Sequence, residues 1–535
     1  MLSNKNSLKP YIIIILATIS LYVWQLHLYP MINPDGVTYI EAAAAYLTGG
    51  IKAAIALNDQ AKWPFYSIFI AEVHSLTGQS LLLSEQILDA SLIVISACFF
   101  LYLVRVLSQH KHASFWAIVI WLTWHAYAKW WPTIVRDHGL VTALLLSFYC
   151  YYRFTVTRQL LWALAWSFCL VLAELFRIEA VLYLLLIPFS IFLLTQETFW
   201  RRIILWLKLN VLSLLAGACV VILFVNKTLT PDSLRFAYMW QEFTSLFSIM
   251  IHEFMTRYQV IQHSVFYREN DFSAYALLTS YAVVFIGYVI TQVSLAALPP
   301  LFWTRQVFQK LNFQVLKHSF LAYMSLAFII PLLFFIEHVF LNGRYLLPLG
   351  LFFLLFVASI LPHVIDLLAG KKKIAFIVLM GILLAINLCA NLYSFGHINQ
   401  DEKIIGTWVK QHYSNDTIFT NSKLILFYAS SSPDYKHGAV REMWLKGVEG
   451  ARVHWLRQNN AWCQYNLLVF NVPEGFEAQQ EKAFAWLQQQ KAIGPIITRY
   501  KRVFNQGYVV VAPIFSKGCF AMVHDQSAKV SVKNS

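Results

Sequence analysis

Long apolar runs alternate with short polar ones through the first 395 residues of this 535-residue chain, and the alternation stops there. Because a helix needs about 20 apolar residues to cross the hydrocarbon of a bilayer, the runs predict spans. They fall near 11–29, 81–104, 113–129, 139–152, 160–176, 179–196, 203–226, 274–303, 319–340, 345–368 and 374–395. The apolar segment Trp63–Gly78 is shorter and contains Glu72 and His74, so it reads as a re-entrant or interfacial helix rather than a crossing. From about Ser394 polar residues take over and the period changes. Asp401–Tyr413 reads as an amphipathic helix, Thr417–Tyr428 and Tyr465–Val472 as strands, Glu474–Gln490 as a helix and Tyr508–Pro513 as a last strand. The pattern therefore predicts an α-helical polytopic membrane protein of about 11 transmembrane helices over residues 1–395, with outward loops 30–80 and 226–272. A small extracytoplasmic α/β domain over 396–535 follows.

Composition strengthens the membrane reading. Hydrophobic residues make up 59% of the chain and charged residues 13%, against roughly 25% charged in ordinary globular proteins. Mean hydropathy is +0.57. The net charge of +14 does not mark a nucleic-acid binder, because the Lys and Arg residues punctuate apolar segments instead of gathering on one polar face. Membrane lipids and anionic lipid phosphates are the partners this distribution favours. The first run follows Lys5 and Lys9, is long, and lacks a small-x-small cleavage pattern, so it reads as a retained span.

Charge also orders the loops. One set carries Lys5/Lys9, Arg105/Lys111, Arg153/Arg158, Arg201/Arg202/Lys208, Arg305/Lys310/Lys317 and Lys371–Lys373, and the positive-inside rule makes it cytoplasmic. The other set faces outward: 30–80, 129–138, the corner 174–179, 226–272, 337–344 and everything after Tyr393. Nearly every acid at a membrane boundary falls in this second set, together with Arg136, Arg177 and Arg344. The outward face of a cytoplasmic, or inner, membrane is thus the expected working face.

Cys98, Cys150, Cys169, Cys219 and Cys389 lie in or beside spans and read as small packing residues. Cys463 and Cys519 lie in the outward domain, whose location permits a disulfide that the spacing alone leaves open. The chain has no CxxC, HExxH, GxGxxG or GxxxxGK[ST] motif, which disfavours redox, zincin, Rossmann and P-loop chemistry.

Candidate chemistry concentrates at the outward boundaries. Asp35, in Asn33-Pro34-Asp35-Gly36, is a carboxylate beside the first span; the same residues also suit a plain turn and helix cap. Trp130 and Trp131 read as an interfacial aromatic belt. Arg136, Asp137 and His138 follow them and combine a phosphate-binding cation, a second carboxylate and a titratable imidazole; Arg136 with Asp137 could equally be a surface ion pair. Glu174 and Arg177 would share one side of a continuous helix, either as a charge-paired helix end or with Arg177 turned to an anion. Glu337-His338 and Asn342-Gly343-Arg344-Tyr345 repeat the theme at the last outward loop. The charges of 226–272, Arg235, Arg257, Arg268, His252 and His263 among them, are mixed and read as solvated. His252/Glu253 and similar pairs lack a persuasive metal-ligand spacing.

Taken in order, these residues resemble the GT-C superfamily of polytopic glycosyltransferases, in particular the bacterial relatives of protein O-mannosyltransferases and of the lipid A aminoarabinose transferase. The resemblance rests on Asp35, Trp63-Pro64-Phe65-Tyr66 with Leu76-Thr77-Gly78, Asp137, the Arg177/Glu179 corner before Pro188, and Arg344-Tyr345-Leu346-Leu347-Pro348. It covers residues 1–395 and extends weakly beyond. It implies a GT-C-like fold and transfer of a hexose or pentose from a polyprenyl-phosphate donor to an envelope glycolipid, polysaccharide or protein on the outer face. Asp35 would be the catalytic base and Asp137 a supporting acid. Arg136, His138, Arg177, Arg344 and Tyr345 would bind the donor's phosphate and sugar. The resemblance assigns no cofactor, and a divalent metal is compatible with it. One departure is Gly36, where mannosyltransferases proper carry the second acid of an Asp-Glu pair. A transporter or flippase of lipid-linked sugar is the rival; it would place ionisable groups at mid-span and show internal repeats, whereas Asp89 is the one such group noted here and no repeat is evident. A polymerase or ligase using diphosphate-linked glycans is the neighbouring enzyme class.

Overall fold

The computed structural model describes residues 8–29, 32–57, 63–193, 197–225, 235–264, 272–307, 317–393, 400–429, 438–440, 462–473, 477–501 and 507–521. The stretches 226–234 and 265–271 of the predicted outward loop, with Arg268, lie outside the described residues. In chain order the helices begin with α1 (Lys9–Leu28), α2 (Pro34–Leu57), α3 (Phe65–Thr77), α4 (Leu81–Ser108), α5 (Ala113–Leu122), α6 (His125–Ala128), α7 (Asp137–Thr157), α8 (Leu160–Phe176) and α9 (Val181–Leu186). They continue with α10 (Phe199–Val225), α11 (Arg235–Ser264), α12 (Phe272–Val293), α13 (Thr304–Val307), α14 (Lys317–His338), α15 (Leu347–Leu367) and α16 (Gly370–Leu392). After them come α17 (Gln400–His412), β1 (Ile418–Thr420), α18 (Lys423–Ala429), β2 (Gly438–Val440), β3 (Leu467–Pro473), α19 (Glu477–Gln489), β4 (Thr498–Lys501) and β5 (Gly507–Pro513). Eight helices among the described residues are long and apolar enough to cross a membrane: α1, α2, α4, α7, α12, α14, α15 and α16. The chain is a multi-pass membrane protein with a small C-terminal α/β region.

The chain divides into two units, Met1–Leu26 with Ile87–Tyr393, and His27–Gln86 with Ser394–Ser535. The loop 30–80, expected to belong with the spans of 1–395, thus groups with the C-terminal region. In the first unit α7 and α15 are buried along most of their lengths. By contrast α1, α12 and α16 turn Ile13, Leu16, Val283, Ile286, Ile374 and Ile382 outward. Apolar faces of that extent are unfavourable in water and suit lipid. The interior is aromatic: Phe148, Tyr323 and Phe352 pack at centroid distances of 5.2–5.6 Å, and Trp166 Nε1 donates to Tyr323 Oη at 2.8 Å.

Three predicted spans are interrupted. The run 113–129 breaks after α5, where the Thr123 hydroxyl donates back to Val119 O at 2.7 Å. The run 179–196 is a 3-10 turn (Ile178–Ala180), α9, and a second 3-10 stretch (Ile187–Leu193) that contains Pro188. Pro removes a backbone donor, so an unbroken α-helix is unfavourable there. The run 274–303 stops at Ser294, whose φ is 70° and whose hydroxyl accepts the Ala296 N–H. The run 139–152 is conversely a full helix of 21 residues, α7.

In the second unit five strands form one sheet in the order β2-β1-β3-β5-β4, parallel across β2-β1-β3 and antiparallel across β3-β5-β4. Strand alternation sorts the side chains into two cores. Leu468, Phe470, Val472, Val510 and Ala512 pack with Phe484 and Leu487 of α19. Leu467, Val469, Val509 and Val511 pack with Ile405 and Val409 of α17 and Ile425 and Leu426 of α18. Cys463 and Cys519 are joined by a disulfide that closes a loop of 56 residues. Such a loop contributes about 4 kcal/mol through chain entropy. The predicted strand Thr417–Tyr428 is corrected: only Ile418–Thr420 is extended, because Ser422 Oγ accepts the Ile425 N–H and caps α18. The β-branched and aromatic content of the run concealed that cap. Helix α2 runs from Pro34 to Leu57 with a kink at Gly50.

Candidate active site

The first unit gathers its buried charges where α7 and α15 begin and α8 and α14 end. Asp137 lies in the first turn of α7, where unsatisfied N–H groups and the helix dipole favour a carboxylate. Gly139, two residues on, lets α8 come close: a Cβ there would run into the Phe176 ring. That approach delivers the next residue, Arg177. It caps α8 with extended backbone (φ −142°, ψ 119°) while its N–H still donates to Ala173 O at 2.8 Å. The helix has ended, so the expected one-sided Glu174/Arg177 arrangement does not form. Arg177 Nη1 instead donates to Asp137 Oδ1 at 2.6 Å and Nη2 to Glu179 Oε1 at 3.1 Å. Burial alone would disfavour the charged guanidinium, but the Glu179 and Asp137 carboxylates outweigh it and hold Arg177 well above the usual arginine value.

A second guanidinium closes the other side. Arg344 Nη1 lies 3.9 Å from Asp137 Oδ2, and its Cζ stands 5.4 Å from the Trp130 ring centroid. The 3-10 turn Gly343–Leu346 that carries it is capped by Asn342, whose side chain accepts the Arg344 N–H, and Pro348 opens α15 with its φ already helical. Tyr345 faces Arg177, with Cζ 4.3 Å from the ring centroid, and stacks at 4.3 Å on Phe334, which stacks at 4.3 Å on His338. Arg136 is half-buried, and its charge acts on Glu179.

His138 is placed differently from its neighbours. Its ring is buried, with Nδ1 3.3 Å from Tyr127 Oη, Nε2 3.2 Å from Trp130 O, and Nε2 3.6 Å from Asp89 Oδ2. Those contacts engage the imidazole inside the protein and anchor the turn before Asp137. Asp89, the charge noted within the second span, lies beside that imidazole. Trp131 is buried against Trp121 and Tyr127, and Trp130 is half-buried beneath Arg344, so the pair is packed inside and does not form the expected interfacial belt.

Asp35 belongs to the second unit. It lies half-buried in the first turn of α2, behind Pro34. Tyr39, one turn on, meets Tyr66 of the Trp-Pro-Phe-Tyr motif edge-to-face at 5.1 Å, and Tyr66 Oη donates to Glu85 at 3.0 Å.

In the first unit, then, the guanidinium groups of Arg136, Arg177 and Arg344 are gathered around the carboxylates of Asp137 and Glu179. Glu179 and Trp130 were not singled out as site residues by sequence; the spacing Arg177-x-Glu179 at a span boundary was the available signal. Among the described residues no group of three or more His, Cys, Asp or Glu is arranged to hold a metal ion. No protein-family model matches the chain, and no curated protein matches it. It is similar to the solved structure of ArnT from Cupriavidus metallidurans bound to undecaprenyl phosphate, at 14% identity over 95% of this chain and 98% of that one, with a TM-score of 0.49. To the apo state of that protein the identity is 13% over the same shares, with a TM-score of 0.38.

Proposed function

We propose that this protein is a GT-C-type membrane glycosyltransferase that moves a sugar from a polyprenyl-phosphate donor to an envelope acceptor on the outer face of the cytoplasmic membrane. The observation that carries the reading is the arginine-rich cluster of Arg177, Arg344 and Arg136 around Asp137 and Glu179. Guanidinium groups held together in a partly buried site are suited to a phosphate, which Arg binds with charge-assisted hydrogen bonds and which gains negative charge as it leaves. Tyr345, packed between Phe334 and Arg177, and Trp130, beneath Arg344, help to orient these guanidinium groups toward the donor.

In the transfer, an acceptor hydroxyl oxygen bonds to the anomeric carbon and the bond from that carbon to the phosphate oxygen breaks, its electron pair staying on the phosphate. The hydroxyl proton goes to a general base, the role assigned to Asp35. Asp137 serves by holding Arg177 and Arg344 in place, and His138 by fixing the turn that carries Asp137. Glycolipid, polysaccharide and protein all remain within the acceptor class.

Mass spectrometry of envelope lipids and glycans from a strain lacking this protein identifies the product, expected as the loss of one sugar substitution. Complementation with Asp35→Asn or Arg177→Met is expected to leave the product absent. Full product with either variant at wild-type protein level would falsify the corresponding assignment.

A further inference from the structure

Within the second unit, the residues three before and three after Asp35 are both held by one short helix, α18. The Ile32 N–H donates to Tyr428 Oη at 3.0 Å, and Lys423 Nζ donates to Thr38 Oγ1 at 3.3 Å. Asp35 and Thr38 share a face of α2, being three residues apart. The two bonds therefore bracket the turn that carries the carboxylate.

α18 is itself fixed to the sheet by a chain of partly buried polar contacts. Its capping Ser422 donates from Oγ to Glu402 Oε2 of α17 at 2.8 Å. Glu402 Oε1 accepts from Asn471 Nδ2 at 2.9 Å. Asn471, on β3, is locked to Asn421 by two further bonds, Asn471 N–H to Asn421 Oδ1 at 2.7 Å and Asn421 Nδ2 to Asn471 O at 2.9 Å. Gly406 allows α17 to lie directly on α18, since a Cβ there would stand 2.7 Å from Ile425 O. Satisfied buried networks of this kind rigidify what they join. Simple docking of α2 on the C-terminal region would need apolar contact only; what is built is a hydrogen-bonded path from the sheet to both flanks of one carboxylate.

We propose that Lys423 and Tyr428 are positioning residues for Asp35: through Thr38 and Ile32 they set the place from which its carboxylate takes the acceptor proton. The proposal rests on the reading of Asp35 as base. It gives the C-terminal region a part in the reaction, that of fixing the base's position.

The test uses the full-length protein in lipid nanodiscs, with the total polyprenyl-phosphate lipid extract of the source cells as donor and their envelope lipids as acceptor, and product measured by mass spectrometry. Lys423→Ala is expected to lower kcat about ten-fold, the size of a modest misplacement of a reacting group, with apparent KM for the extract within about two-fold. Lys423→Arg, which keeps a donor for Thr38, is expected to restore most of the rate. Thr38→Val deletes only the acceptor oxygen and is expected to lower kcat as Lys423→Ala does; it carries the test if Lys423→Ala reduces the yield of folded protein. Wild-type kcat in Thr38→Val, with Asp35→Asn inactive, overturns the positioning role and leaves the base intact. An active Asp35→Asn overturns both.

Discussion

The first unit pairs basic side chains with acids at both ends of its helices, and the ends differ in how deeply the pairs are set. Where α7 begins, the Arg177 and Asp137 side chains are 6% and 2% exposed and share their charges with Glu179 and Arg344. Where α4 and α15 end, His110 meets Asp366 at 2.8 Å with Asp366 half in solvent, and near the start of α10 Arg201 reaches Glu197 while 63% exposed. The exposed pairs are screened and individually worth at most about 1 kcal/mol. The Arg177–Asp137 pair is largely withheld from water, so its charges act strongly on whatever anion enters, and removing one partner strands the other. Similar residue pairs thus yield a surface in one place and a candidate site in the other.

Breaking the buried end should give the largest effects. Arg177→Met strands Asp137 and Glu179, and is expected to abolish transfer by on the order of 10³-fold and to cost about 3–5 kcal/mol of stability, read by product mass spectrometry and by thermal unfolding in detergent. Arg344→Ala leaves the Arg177–Asp137 bond in place. A rate loss of about 10²-fold is expected from it with little change in unfolding temperature, and Arg344→Lys should recover only part, since an ammonium lacks the planar fork. Arg136→Met, at the edge of the cluster, should cost about ten-fold, or ~1.4 kcal/mol, in the same assay. At the opposite end, Asp366→Asn should change stability by less than about 1 kcal/mol and leave transfer unchanged. A large activity loss from Asp366→Asn would erase the contrast between the ends.

Much of the cluster was legible in the chain because its members interrupt apolar runs. A charge at the edge of a span is costly unless it has a partner, so Asp137, Arg177 and Arg344 stand out from hydropathy alone. Which charge pairs with which was not legible. The Glu174/Arg177 spacing presumed a continuous helix, and α8 ends one residue before Arg177. His138 carries the same sequence signal as Arg136, yet it is turned inward to Tyr127, Trp130 and Asp89. The strand expected over 417–428 failed for a related reason: one serine hydroxyl, Ser422, outweighed the β propensity of the residues around it.

By itself the sequence determined the membrane class, the course of most spans and the presence of an α/β region after residue 395, because those depend on transfer free energies and periodicities that each segment carries locally. Tertiary structure decided what hydropathy cannot encode. It decided that α8 meets α7 closely enough at Gly139 for Arg177 to bridge Asp137 and Glu179, and that residues 27–86 group with the C-terminal region, where α18 brackets Asp35. Such pairings depend on distances between segments far apart in the chain, and those distances exist only once the helices have packed.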